Sequence, residues 1–268
     1  MTAPAAAPAA VVTPKFGHLI GVTGLPGTGK SHLLRSAREA GRTKVALTDP
    51  KELSFYGGDA TLFSDLEWRP HVNQFSATAF TALLAWCNER TRDDSQFVVL
   101  DTGSECSDLA MHEVLKVHAT NDPGDVAHGR AYTAHDQQFK SLITELRRIA
   151  ATGKTVLVSF HGQMKELEGA GDGKKAKGIS GDMEWKFDEQ MLPVLCTSLR
   201  QRIHSPFDIW LYTAPVGFGP ARQWFVTAQA DAVRPAKHSV TWKAGTSLAR
   251  LPNNLPALLA ALAPAAGA

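Results

Sequence analysis

The sequence predicts an α/β fold in which a mainly parallel central sheet is flanked by helices and closed by a C-terminal β-hairpin. Three observations predict it. Short apolar runs alternate with amphipathic stretches from about residue 15 to about residue 252, the pattern of strands joined by helical crossovers. A glycine-rich segment, GLPGTGKS, stands between the first apolar run and the first amphipathic one. A later apolar run, FVVLD, ends on an aspartate, and open sheets of this class bind ligands at the carboxyl ends of their strands.

Taken in order, FGHLIGVTG reads as the first strand and GKSHLLRSAREAG as the helix after it, stopped at Gly41. TKVALTD is the second strand. SATAFTALLAWCNERTRDD carries Phe80, Leu83, Leu84 and Cys87 at helical spacing, with Ser76 or Thr78 as its N-cap, and leads into QFVVLD. DLAMHEVLKVH reads as a helix, ATNDPGDVAHGRAYTAH as a loop. DQQFKSLITELRRIAATG is an amphipathic helix with Phe139, Leu142, Ile143, Leu146 and Ile149 on one face, delivering the chain to the strand KTVLVSFH. A long Gly/Lys loop follows. DEQMLPVLCTSLRQRI is expected to be helical despite Pro193, and FDIWLYTAP with RQWFVTAQ to form the hairpin. The Ala/Pro-rich ends, residues 1–14 and 253–268, read as tails around one domain spanning 15–252.

With 268 residues, 44% of them hydrophobic, the chain has ample material for a core, and its formal charge of +2 leaves any anionic partner to local clusters. Cys87, Cys106 and Cys196 are widely spaced, odd in number and without a CxxC pair, which fits a reducing cytoplasm and no metal. No run approaches the ~20 apolar residues of a membrane span, so a cytoplasmic location without membrane association is expected.

Gly24 to Ser31 satisfies G-x-x-x-x-G-K-[ST] in full, in the strand-to-helix setting that this pattern's mechanics require. Gly27 and Gly29 let successive N–H groups turn toward a phosphate, with Thr28 between them and the helix N-terminus behind. Lys30 reaches the β- and γ-phosphates, the Ser31 hydroxyl ligates Mg²⁺, and His32 follows at the edge of the site. Asp101 supplies the carboxylate for the metal and its water shell. Together they specify a site for ATP with Mg²⁺. AAA+ ATPases typically place a catalytic glutamate directly after this aspartate; here Thr102, Gly103 and Ser104 follow, which weighs against that reading. RecA-type ATPases commonly carry a hydroxyl residue there and their water-activating glutamate just beyond the second strand, which falls in VALTDPKEL. Glu52 is thus the candidate general base, with Asp49 and Glu105 as alternates.

The order of parts, namely the phosphate loop, VVLDTG, a loop-and-helix insertion, GKTVLVSFH and a Gly/Lys loop, resembles the phage-encoded RecA/RadA-like ATPases that keep the recombinase core, some of which anneal single strands. The resemblance covers about residues 16–252 and implies a RecA-like P-loop NTPase core. It implies that His161, closing the strand where RecA carries glutamine, senses the γ-phosphate. It also implies a homo-oligomer, ring or filament, in which basic residues of a neighbour complete the site, for which Arg222, Arg234 and Lys237 are candidates.

The same resemblance puts the two long loops where that family lines its channel for single-stranded DNA. Lys165, Lys174, Lys175 and Lys177 are interleaved with glycines, beside Glu166, Glu168 and Asp172, a composition able to track a phosphate backbone. The other loop offers His128, Arg130 and Tyr132 as a cation-and-stacking set. The reading is an ATP-hydrolysing protein that binds single-stranded DNA in recombination or annealing. Three others stay open: a nucleotide-switched annealing module with little hydrolysis, a P-loop kinase of a small molecule, and a helicase or packaging motor.

Overall fold

The computed structural model describes residues 17–57, 60–64, 79–166, 189–195, 199, 202–216, 223–231, 234 and 236–263. The chain runs β1 (Leu19–Gly24), α1 (Lys30–Arg35), α2 (Ala37–Ala40), β2 (Thr43–Leu47), α3 (Leu53–Tyr56), β3 (Ala60–Leu62), α4 (Ala79–Arg90), β4 (Phe97–Asp101), α5 (Gly103–Val117), α6 (Arg130–Ala151) and β5 (Thr155–Glu166). It continues through β6 (Glu189–Pro193), β7 (Ile209–Val216), β8 (Gln223–Thr227), β9 (Lys237–His238), β10 (Leu251–Pro252) and α7 (Leu255–Ala260). The sheet order is β10-β8-β7-β1-β5-β4-β2-β3. Pairings from β7 through β3 are parallel, while β8 and β10 add antiparallel strands at one edge. The expected class, a mostly parallel sheet with helices and a C-terminal hairpin, is therefore the observed one.

Strand alternation divides the core between the two faces of the sheet. Val156, Val158 and Phe160 of β5 join Leu19, Trp210 and the apolar stripe of α6 on one face. Leu157 joins Ile20, Val22, Leu33, Leu34 and Leu211 on the other. Phe160 stacks on Trp210 with ring centroids 5.0 Å apart, and Phe207 meets Trp210 edge-on at 4.8 Å. Each fully buried side chain of this size contributes about 1.5–3 kcal/mol before the cost of ordering it.

Five sequence expectations are corrected. β5 does not stop at His161 but runs on to Glu166, pairing antiparallel with β6 from Gly162↔Pro193 to Glu166↔Glu189. Lys165, expected in a loop, is thus on a strand, and residues 189–193, expected to be helical, form its partner. Pro193 sits at the ribbon's end, where a missing N–H costs no ladder bond. The stretch read as a loop before α6 is largely structured: two short 3-10 turns, Pro123–Asp125 and Ala127–Gly129, lead into a helix that already starts at Arg130. Finally, residues 253–263, within the segment 253–268 read as a tail, continue the fold. Asn254 caps α7 by accepting from the Ala257 N–H, and Leu255 and Leu258 are fully buried in the core cluster that also holds Ile20, Val22, Leu33 and Leu34, with α7 packed on α2 and β10. The first helix is also divided at Ser36 into α1 and α2. The N-caps proposed at Ser76 and Thr78 lie outside the described residues.

Candidate nucleotide site

The register of the parallel strands brings the site together. Gly24, the last residue of β1, lies opposite His161 of β5, and Thr23 lies opposite Tyr212 of β7. Leu100 of β4 lies opposite Val158, so Ser159 is next to Asp101. Because β5 separates the strand of the phosphate loop from the strand of Asp101, whatever closes β5 stands between the two.

In the loop, Gly27 has φ +71° and Gly29 φ +93°, left-handed values that glycine adopts without Cβ strain. Lys30 is buried and folds back, its Nζ donating to the carbonyls of Gly24 at 2.8 Å and Leu25 at 3.0 Å. Burial lowers its pKa, while the charges of Asp101 and Glu52 work in the opposite direction. Thr28 donates to the Leu25 carbonyl at 2.6 Å, and its Oγ1 lies 2.5 Å from Thr213 Oγ1. Ser31 is half-buried, and His32 is exposed on α1.

Asp101 is 2% exposed, and both its oxygens are engaged: Tyr56 donates to Oδ2 at 2.9 Å and the Ser159 hydroxyl donates to Oδ1. Burial, then the charge and hydrogen bond of Asp101, hold the Tyr56 hydroxyl well above the ordinary phenol range, so it stays a donor. The peptide between Asp101 and Thr102 is cis. Thr102 caps α5 by accepting from the N–H groups of Ser104 and Glu105, and its own N–H donates to Thr48 Oγ1 at 2.9 Å. The position after the aspartate is thereby committed to a helix start.

The three carboxylates proposed as base have different surroundings. Asp49 caps a 3-10 turn, accepting from the Lys51 N–H at 2.9 Å. Glu105 lies 3.8 Å from His161 Nε2, and its pKa is raised by burial and by Asp108. Burial, then the charges of Asp101 and Asp49, raise the pKa of Glu52 against the pull of Lys30 and of Ser31 beside it. Its field includes both Lys30 and Asp101. His161 is partly exposed, its main-chain N–H donating to Ser104 Oγ at 3.0 Å.

Contacts with no mark in the sequence come from the C-terminal part. Trp224 Nε1 donates to the Gly27 carbonyl at 3.3 Å, and Asn253 Nδ2 donates to the Gly29 carbonyl at 3.0 Å. With Thr213, they hold three successive loop residues. Tyr56 and Ser159 were equally unmarked, since nothing in their local sequence distinguishes them from other core positions.

Of the remaining predicted residues, Arg130 and Tyr132 are exposed at the start of α6, and His128 just before it. Arg234 is paired with Asp231 at 2.6 Å, and Lys237 donates to the Ser205 carbonyl at 2.6 Å, so both are engaged within the chain. Arg222, Lys174, Lys175 and Lys177 lie outside the described residues. Among the described residues no group of three or more His, Cys, Asp or Glu gathers as a metal centre, and no helix is long and apolar enough to cross a membrane. Cys87 and Cys106 are buried free thiols; burial pushes Cys87 up to about 12.

Among solved structures, the chain is similar to the flagellar accessory protein FlaH of Methanocaldococcus jannaschii, with 14% identity, 80% of this chain and 78% of that one covered, and a TM-score of 0.40. It is also similar to a KaiC-like protein of Pyrococcus horikoshii OT3, with 10% identity, coverage of 84% and 82%, and a TM-score of 0.36. Comparison with curated proteins returns no significant match. The model of the AAA domain matches residues 18–212, a span holding the phosphate loop, Glu52, Asp101 and His161. The missing glutamate after Asp101, which weighed against an AAA-type reading, does not exclude it: carrying a P-loop nucleotide-binding site at the carboxyl ends of its strands, the chain belongs to the AAA domain family.

Proposed function

We propose that the protein binds ATP with Mg²⁺ at this site and hydrolyses it. The convergence of Lys30, Ser31, Glu52 and Asp101 at the ends of β1, β2 and β4 carries the reading. The donor set fits the metal: a hydroxyl and a buried carboxylate are enough for an ion that takes its other ligands from phosphates and water. Ser31 and Asp101 would hold it, and when bound it neutralises charge developing on the phosphate oxygens. The loop N–H groups receive the β-phosphate, and Lys30 leaves the carbonyls of Gly24 and Leu25 for the β- and γ-phosphates. Glu52 takes the proton of a water attacking the γ-phosphorus, while the β–γ bridging oxygen departs with its electron pair. His161, at the end of the intervening strand and beside Glu105, is the group that changes partner when a γ-phosphate is present.

Single-stranded DNA is the polymer we assign to it. The support is topological. The 22-residue helix α6 returns the chain to the start of β5 and is about 33 Å long. Its exposed first turn, with Arg130 and Tyr132, therefore stands toward the same edge of the sheet as the phosphate loop and the β5–β6 ribbon.

The test is ATP turnover with and without single-stranded DNA over a range of salt concentrations, on wild type, Lys30→Ala and a Lys174/Lys175/Lys177→Ala variant. Wild type is expected to be slow, accelerated by DNA, and less so at high salt. Lys30→Ala should lose ATP binding, and the triple variant should lose the acceleration but keep basal turnover. Absence of turnover in wild type removes the ATPase reading. Turnover indifferent to DNA removes the DNA reading alone, and phosphate transfer to a small acceptor would replace both with a kinase.

A further inference from the structure

Family similarity ends at residue 212, yet the phosphate loop is held by Thr213, Trp224 and Asn253, all beyond it. The atoms they hold are informative. Trp224 and Asn253 take the carbonyl oxygens of Gly27 and Gly29, while Lys30 and Thr28 take those of Gly24 and Leu25. In a planar trans peptide the C=O and the following N–H point in opposite directions. Fixing the Gly27 carbonyl toward Trp224 therefore turns the Thr28 N–H away from it; the Gly29 carbonyl is held by the Leu33 N–H of α1 at 3.1 Å as well as by Asn253, and the two together turn the Lys30 N–H away from them. Those two N–H groups are donors the loop offers to phosphate.

Packing supports the same relation. A Cβ at Gly29 would meet Asn253 Nδ2 at 2.7 Å and Trp224 Cδ1 at 2.9 Å, so loop and C-terminal segment approach as closely as main chain allows. Asn253 is 9% exposed, and among the described residues its Oδ1 has no hydrogen-bond partner. A position needed for packing alone is better filled by an apolar side chain, since a buried unsatisfied acceptor is destabilising.

We infer that Trp224 and Asn253 are positioning residues for phosphate: the C-terminal extension orients the loop's N–H donors from behind, through the carbonyls on the same peptide planes. The inference rests on the nucleotide-binding reading above and adds residues outside the family's span to it.

Calorimetric titration with ATP, ADP and inorganic pyrophosphate tests it on wild type, Trp224→Phe, Asn253→Ala and Lys30→Ala, with a thermal melt of each protein without ligand. Trp224→Phe keeps an aromatic ring at this position and removes the Nε1–H donor together with part of the indole's bulk, which the melt monitors. Each of the two C-terminal variants should bind all three ligands about fivefold more weakly, by the same factor for each, as expected for one lost hydrogen bond, with ligand-free melting close to wild type. Unchanged affinities would overturn the inference. So would weakening confined to ATP and ADP, because pyrophosphate has no base and that pattern belongs to contact with the nucleoside. If Trp224→Phe fails to fold, Asn253→Ala decides alone. Wild type binding none of the three removes the nucleotide reading together with this one. Binding lost in Lys30→Ala but intact in both C-terminal variants removes this one alone.

Discussion

Glu52, the general base proposed above, shows how a side chain placed for chemistry can work against stability. Its pKa is raised first by burial and then by Asp101 and Asp49, so the folded state binds its proton more tightly than the unfolded chain does. Above that raised pKa the charged carboxylate destabilises the fold; below it the penalty disappears. As a general base it must be deprotonated, so turnover should fall as pH drops through the same value. Glu52→Gln is therefore expected to reduce kcat by about 100-fold or more with KM for ATP little changed, and to remove the acid limb of the rate profile. The same variant should melt higher than wild type at pH 7, a gain that shrinks as the medium is acidified. Steady-state kinetics and calorimetric melts across pH check both halves. At this scale the placement of the phosphate loop and Asp101 at strand ends was legible because it is written in local patterns, whereas Glu52 was one of three carboxylates that those patterns did not separate. Ser159 and Tyr56 were not legible: their contact with Asp101 comes from strand register and from the fold of α3 after β2, neither of which leaves a mark on neighbouring residues.

Elements with a buried stripe were readable, and those without one were not. α6 shows both cases. From His135 onward it presents Phe139, Leu142, Ile143 and Leu146 to the core, but its first turn buries only Ala131, so nothing apolar announces its start. The β5–β6 ribbon leaves the main sheet's sandwich, and GQMKE, glycine-led and polar, resembles a loop for that reason. α7 was hidden by composition, since alanines and prolines surround the two leucines that matter. Asn254 and Pro256, an N-cap with proline in the first turn, were the available signal. Leu258, fully buried, gives the sharpest test: Leu258→Ala should cost about 2–5 kcal/mol by denaturant unfolding. Truncation after Pro252 should destabilise further and, by removing Asn253, weaken nucleotide binding as well.

For the molecule as a whole, acid stability is set partly by a half-buried histidine, His204. His204 packs edge-on against Trp210 with ring centroids 4.4 Å apart, and its Nε2 lies 3.2 Å from the Tyr212 hydroxyl. Burial, aided by the charge of Lys237, pushes it down to about 4. The folded protein thus binds fewer protons than the unfolded chain between that value and the ordinary 6.5, and stability must rise with pH across this window. Acidification through it should cost up to about 3 kcal/mol, with His18, also lowered by burial, acting in the same direction. His204→Gln is expected to flatten the slope of unfolding free energy between pH 6.5 and 4, measured by urea titration. The overall architecture was legible because a parallel sheet imposes its alternation along the whole chain; the return of the C-terminal segment to the first loop was not, because it depends on two distant parts meeting. That meeting has a temporal side. Asn253 follows Gly29 by 224 residues, and at about 5–20 residues per second on the ribosome the loop waits roughly 10–45 s for its last support. On the proposal above, a nascent chain would carry its phosphate signature early and gain the support of Asn253 only after the strands of the sheet had emerged.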